Sequence, residues 1–143
     1  MINIKVKKVH PNARIPRVAT EGSACFDLHC CERFVVYGDV MTRVRIGYIL
    51  EIPKGYCIEV LSRSGVASRG IIIPNAPGII DSDYRGEVFV MLYGAFVSKP
   101  EIFEVGSRVA QARLVKLEQT MFEEVSDVTN TIRGAGALGS TGK

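Results

Sequence analysis

The 143-residue sequence is the length of one domain, enough to bury about two-thirds of the surface its unfolded chain exposes. A net charge of +3 with dispersed basic residues argues against a nucleic-acid-binding surface and suits an anionic small ligand. No apolar run approaches the ~20 residues that cross a bilayer, and MINIKVKKVH alternates charged and apolar residues where a signal peptide carries an apolar core, so an intracellular, soluble chain is expected.

Strand periodicity runs through the chain. Ile2, Ile4 and Val6 alternate with polar positions, including Lys5, and predict a strand at the N-terminus. GSACFDL, residues 22–28, reads as a small-residue turn feeding a strand, with Asp27 serving either as a turn acceptor or as a functional carboxylate. A β-branched run at 33–37 precedes the longest alternation, Val44, Ile46, Tyr48, Leu50 and Ile52. Further strands are predicted over 56–61, 70–73, 87–93, 101–105 and 108–117, separated by turn signals such as Pro53-Lys54-Gly55 and Gly106-Ser107. Residues 63–68 break the pattern and predict one short helical turn, capped by Ser62 or Ser64, whose leading N–H groups suit an anion. The plainer reading of that stretch is a polar loop. Many short strands at this spacing predict an all-β domain over 1–132, a jelly roll or β-barrel.

Cys25, Cys30, Cys31 and Cys57 form no C-x-x-C pair, and His10 and His29 lack zinc-finger spacing, so the thiols are read as small core hydrophobes. The densest chemistry lies in PGIIDSDYRGE, residues 77–87. Asp81 and Asp83, two apart, would share one face of an extended segment as a metal or general-base pair, or belong to a hairpin turn. Gln111, in the strand after Gly106, reads as an outward-facing residue or a ligand donor. The tail RGAGALGSTGK contains G-x-G-x-x-G at Gly134, Gly136 and Gly139, but no strand–helix context surrounds it. A P-loop would need glycine where Ala137 stands. The glycines predict an arm over 133–143 that is mobile when empty.

Taken in order, five stretches resemble the motifs of the trimeric deoxyuridine triphosphatases (dUTPases): GSACFDL, SRSGVA, NAPGIIDSDYRGE, GSRVAQ and RGAGALGSTG. They span residues 22–142, and IDSDYRGE is nearly unaltered. The resemblance implies the distorted jelly-roll "β-clip" fold and hydrolysis of dUTP to dUMP and pyrophosphate by in-line water attack on the α-phosphorus. That activity keeps uracil out of DNA and supplies dUMP for dTMP synthesis. Asp81 matches the water-activating carboxylate. Asp27 matches the first-motif acid that supports the water shell of Mg²⁺, the ion itself being held mainly by substrate phosphates and waters.

The resemblance further implies that Arg63, Ser64 and Gly65 clamp phosphates, joined by Gln111. Asn75, Gly78 and Ile80 would line the uracil pocket, with Tyr84 packing under the deoxyribose and leaving no room for a 2′-hydroxyl. Asp83, Arg85 and Arg108 are read as turn and salt-bridge residues. Arg133, Leu138, Gly139, Ser140 and Thr141 belong to the arm, which in the family closes over the active site of a neighbouring subunit in a homotrimer. Three positions depart from the family pattern: Ser62 replaces a proline, Ala137 a glycine and Leu138 an aromatic. Leucine covers a base without stacking on it, an interaction worth about 1–3 kcal/mol, so a weakened lid is expected. Two alternatives share the fold: a nucleotide-binding regulator with subdued turnover, and a dCTP deaminase, which lacks support in the unaltered IDSDYRGE.

Overall fold

The structure, a computed structural model, describes residues 2–137. Ten strands and one short helix follow in chain order: β1 (Lys5–Lys8), β2 (Phe26–His29), β3 (Phe34–Val36), β4 (Met41–Glu51), β5 (Tyr56–Leu61), α1 (Ser64–Ala67), β6 (Ile71–Ile72), β7 (Gly78–Ile80), β8 (Glu87–Gly94), β9 (Glu101–Phe103) and β10 (Arg108–Lys116). They form two four-stranded sheets, β1-β4-β8-β6 and β2-β10-β5-β7, and a two-stranded ribbon, β3-β9. Every named pairing is antiparallel, in keeping with a jelly-roll β fold.

The period-2 pattern works as expected in β4 and β8. Val44, Ile46, Tyr48, Leu50 and Ile52 are all buried, as are Val88, Val90 and Leu92. Gly47, at φ +84, adds a kink where the β4–β8 register shifts between Arg45 and Ile49. A side chain there would collide with the Cβ atoms of His10, Ala13 and Cys31. Glu87 anchors the start of β8 at this kink. It accepts two-pronged bonds from Arg45 (Nε–Oε1 3.0 Å, Nη2–Oε2 3.0 Å) and one from the Gly47 amide at 3.1 Å.

Three local expectations are corrected. The first strand begins at Lys5, not Ile2, because only Lys5–Lys8 find partners on β4. The helical turn exists, but its N-cap is Arg63, without a side-chain cap bond, and Ser64 is already its first residue. Asp81 and Asp83 do not share a face of an extended segment: β7 ends at Ile80, and a turn follows in which the Tyr84 amide donates to the Asp81 carbonyl at 3.2 Å. That turn is the hydrophilic alternative, stapled by Arg85 Nη1 donating to the carbonyls of Ser82 (2.7 Å) and Tyr84 (2.9 Å). Regular structure stops at Lys116, well before Arg133. Cys30, Cys31 and Cys57 are buried, and burial pushes each thiol above its ordinary pKa, as suits packed, protonated side chains. No helix is long and apolar enough to cross a membrane among the described residues.

Candidate active site

The predicted residues fall into two groups on the sheet β2-β10-β5-β7. The first surrounds β7. Pairing of β7 on β5 sets Gly78 against Val60 and Ile80 against Ile58. Asn75 sits in the turn before β7, its amide lying over the bare Cα of Gly78: a Cβ there would come within 3.3 Å of Asn75 Nδ2. Asn75, Gly78 and Ile80 line one small hollow of about 70 Å³, floored by Val60 and Phe89. Asp81 and Tyr84 share the adjoining cleft of about 180 Å³, again with Ile80 and Phe89 on its wall. Arg43 covers the Phe89 ring at 3.5 Å and holds that wall in place.

Tyr84 is exposed, yet its position is set twice. Its hydroxyl donates to the Glu87 carbonyl at 3.1 Å, and its ring lies so close over Gly86 that a Cβ there would overlap it. Gly86 is therefore a positioning residue that reading the sequence missed. A glycine two places after an aromatic in a turn is the signal that points to it. Asp81 has no ion pair and no side-chain hydrogen bond among the described residues, so both carboxylate oxygens are free toward the cleft.

The second group lies across the sheet. Gln111 is opposite Asp27 on β2 and opposite Leu61 on β5, and a register shift between Arg108 and Ala110 precedes it. Its Nε2 donates to the Ser62 carbonyl at 2.9 Å, which ties β10 to the start of α1. Arg63 Nε meets Asp27 Oδ1 at 2.7 Å, and Arg108 Nη1 lies 3.5 Å from Asp27 Oδ2. Asp27 thus has a guanidinium beside each oxygen, and Arg108, expected as a salt-bridge residue, makes its salt bridge here. Ser64 and Gly65 open α1, whose first ladder bonds run from the Val66 and Ala67 amides to the Arg63 carbonyl, leaving their own amides ahead of the ladder.

The two groups do not meet within one chain. Extending β7 by one residue sets Asp81 beside Cys57, four places along β5 from Leu61. Strand rise and spacing then separate Asp81 from Asp27 by about 20 Å. Arg133 joins neither: its Nε donates to Gly136 O at 3.0 Å in a turn of the tail, and no hydrogen bond or ion pair among the described residues links it to either group. Leu138, Gly139, Ser140 and Thr141 lie outside the described residues.

The geometry therefore pairs a neutral pocket carrying one free carboxylate with an arginine clamp, the parts needed by a nucleoside and by its phosphates. The dUTPase family model matches residues 11–142. The chain belongs to the dUTPase family. A deoxyuridine 5'-triphosphate nucleotidohydrolase of Helicobacter pylori strain J99 is 42% identical over 99% of this chain and 97% of that protein. One from Dictyoglomus turgidum is 40% identical over 99% of both. Among solved structures, a Staphylococcus bacteriophage 80alpha dUTPase mutant with dUpNHpp shares the fold at a TM-score of 0.86 and 23% identity over 99% of both chains. A phage phi11 dUTPase mutant, described with a structural Mg(II) ion, matches at a TM-score of 0.79 over 87% of this chain and 97% of its own.

The described residues offer one group of mixed metal donors, His10, Cys31 and Glu32, beside the Gly47 kink. Its Glu32 is already bound by Arg45 at 2.7 Å. Among the described residues neither Asp27 nor Asp81 belongs to a close group of three such donors.

Proposed function

We propose that the chain hydrolyses dUTP to dUMP and pyrophosphate, with Asp81 as the base. The observation that carries this reading is the contrast between its two aspartates. A base needs an oxygen free to accept a proton, and Asp81 has two at the mouth of a cleft. Both oxygens of Asp27 already lie within ion-pair distance of guanidinium groups, so its part is to hold Arg63 and Arg108 at the clamp. Asp81 accepts a proton from a water as its oxygen bonds to the α-phosphorus. The bond from that phosphorus to the bridging oxygen breaks, and the electron pair leaves with pyrophosphate. Arg63, the opening amides of α1 and Gln111 bind the phosphate chain and meet its charge.

The donor set fits a Mg²⁺ carried by the substrate: lone carboxylates suit outer hydrogen bonds to a hydrated ion, and Asp27 would contact that water shell. Bound there, the ion neutralises charge on the phosphates. Asn75 and the β7 backbone face uracil, and Tyr84 under the sugar excludes a 2′-hydroxyl. Because about 20 Å separates Asp81 from the clamp, a complete site draws its clamp from another copy of the chain, in keeping with a homotrimer whose 133–143 arm serves a neighbour. Kinship with named nucleotidohydrolases favours this over a deaminase or a turnover-subdued regulator.

The test is pyrophosphate release from dUTP, dTTP, dCTP and UTP with Mg²⁺. Release confined to dUTP is expected. Tight dUTP binding without release, or ammonia release from dCTP, would overturn the proposal.

A further inference from the structure

Beside Asp27, on the strand face that also carries His29, lies a cleft of about 420 Å³ that the reaction above does not use. Lys8, Arg14 and Arg17 line it together with Asp27 and His29. Among the described residues none of the three cations has a carboxylate within ion-pair distance, and the one acid present is occupied by Arg63 and Arg108. Three exposed cations without a carboxylate partner therefore line one concavity, where their positive potentials add. The whole chain carries a net charge of only +3, so this corner holds an unusual share of it.

Two details distinguish the cleft from a chance grouping of surface cations. The Arg14 guanidinium is seated against the backbone of Gly106, which stands at φ +82; a Cβ at that position would overlap the Arg14 head group. Packing of this kind reduces the freedom the side chain would lose on binding. His29 Nδ1 is buried without a hydrogen-bond partner. An orphaned buried nitrogen costs free energy, and His29 is one of the residues that line the cleft.

We infer that this cleft is a second anion site, taking inorganic pyrophosphate on Arg14, Arg17, Lys8 and His29 beside the triphosphate clamp. Pyrophosphate, with three to four negative charges near neutral pH, matches three cations and an imidazole donor better than orthophosphate does. Its place across Asp27 from Arg63 gives the leaving group a holding point outside the clamp. The choice of pyrophosphate rests on the proposed hydrolysis; the affinity for a polyanion rests on the cleft alone.

The experiment is calorimetric titration of sodium pyrophosphate into the full-length protein, first alone and then saturated with dUpNHpp. In the saturated protein one pyrophosphate per chain is expected to bind still, with orthophosphate weaker and with affinity falling steeply as salt rises. Arg14→Ala should weaken that binding about tenfold, as loss of a charge-assisted bond does. Arg17→Ala provides a second reading on an exposed residue should Arg14→Ala fold poorly. Turnover of saturating dUTP should stay at the wild-type value in both. The inference is overturned if dUpNHpp abolishes pyrophosphate binding, or if folded Arg14→Ala and Arg17→Ala bind it as the wild type does. Should the protein neither bind dUpNHpp nor hydrolyse dUTP while Arg14-dependent pyrophosphate binding persists, the hydrolysis proposal fails and the anion site stands.

Discussion

Asp81 and Asp27 occupy opposite corners of one sheet and meet opposite surroundings. The Asp81 corner is built mostly from backbone and uncharged side chains, Asn75 over Gly78 and Tyr84 over Gly86, and its charged neighbours are engaged: Arg43 lies over Phe89, and Glu87 is bound by Arg45. The Asp27 corner is crowded with cations, two on the carboxylate itself and three more around His29. The same functional group is thus free to take a proton at one corner and confined to aiming arginines at the other. Such a division suits a ligand with a neutral head and an anionic tail. It also suits assembly from several copies, since a single chain keeps the two corners about 20 Å apart.

The sharpest way to break this contrast is to remove the free carboxylate. Asp81→Asn keeps the shape and the hydrogen-bonding reach but cannot take a proton. Turnover of dUTP should fall by about 10²- to 10⁴-fold, with dUpNHpp affinity near that of the wild type. Equal losses in turnover and affinity would return Asp81 to a purely structural role.

The separation of the corners makes a second prediction. Asp81→Asn and Arg63→Ala chains, each inactive alone, should complement when unfolded together and refolded. If the free carboxylate comes from one copy and the clamp from its neighbour, random mixing leaves about a quarter of the sites with both parts intact. Recovery to about that fraction of wild-type activity is expected. Mixtures as inactive as their parents would mean that each chain builds its own site.

How much of this was legible in the sequence depends on the range of the interaction involved. The core of β4 and β8 follows from alternation alone, because burial of one sheet face imposes a period of two on Val44 to Ile52. The three residues of β7 are too short to show alternation, and they follow closely on the turn signal Pro74-Asn75. Their strand character comes from partners on β5. The Asp81–Asp83 spacing could serve either a pair or a turn, and β7 ends at Ile80, after which local bonds from Arg85 close the turn. Arg14 carried no local signal, since its meaning lies in contact with Gly106, far along the chain. The candidate members of the site were named from ordered motifs. Their division into two corners was not, because it depends on strand register.

A smaller change tests the Asp81 corner. In Gly86→Ala the new methyl overlaps the Tyr84 ring and hydroxyl, and the ring is the part able to swing away. If Tyr84 is the shelf that excludes a 2′-hydroxyl, the ratio of kcat/KM for dUTP over UTP should fall by about tenfold, with Asp81 still in place to keep kcat for dUTP near the wild-type value. An unchanged ratio would take Tyr84 out of sugar recognition.

The smallest effect concerns the Asp27 corner and its charge. His29 has its pKa pushed below 6.5, first by burial and then by Arg14, with Arg108 and Arg63 adding to the shift and Asp27 alone opposing it. As pH falls through 6.5, the unfolded chain takes up a proton that native His29 refuses. The unfolded state then binds more protons, so stability declines with falling pH from 6.5 down to the depressed native value and is fully present above it. Thermal unfolding followed from about pH 7.5 to about pH 5.5 should show this decline in the wild type and a flatter profile in His29→Gln, which has no proton to gain. Pyrophosphate in the cleft would supply negative charge beside the imidazole, raising the native pKa and flattening the wild-type profile as well. A slope unaltered by His29→Gln would show that the three cations around the cleft are too well solvated to act on the imidazole, and with it the contrast between a neutral and a cationic corner would lose its electrostatic half.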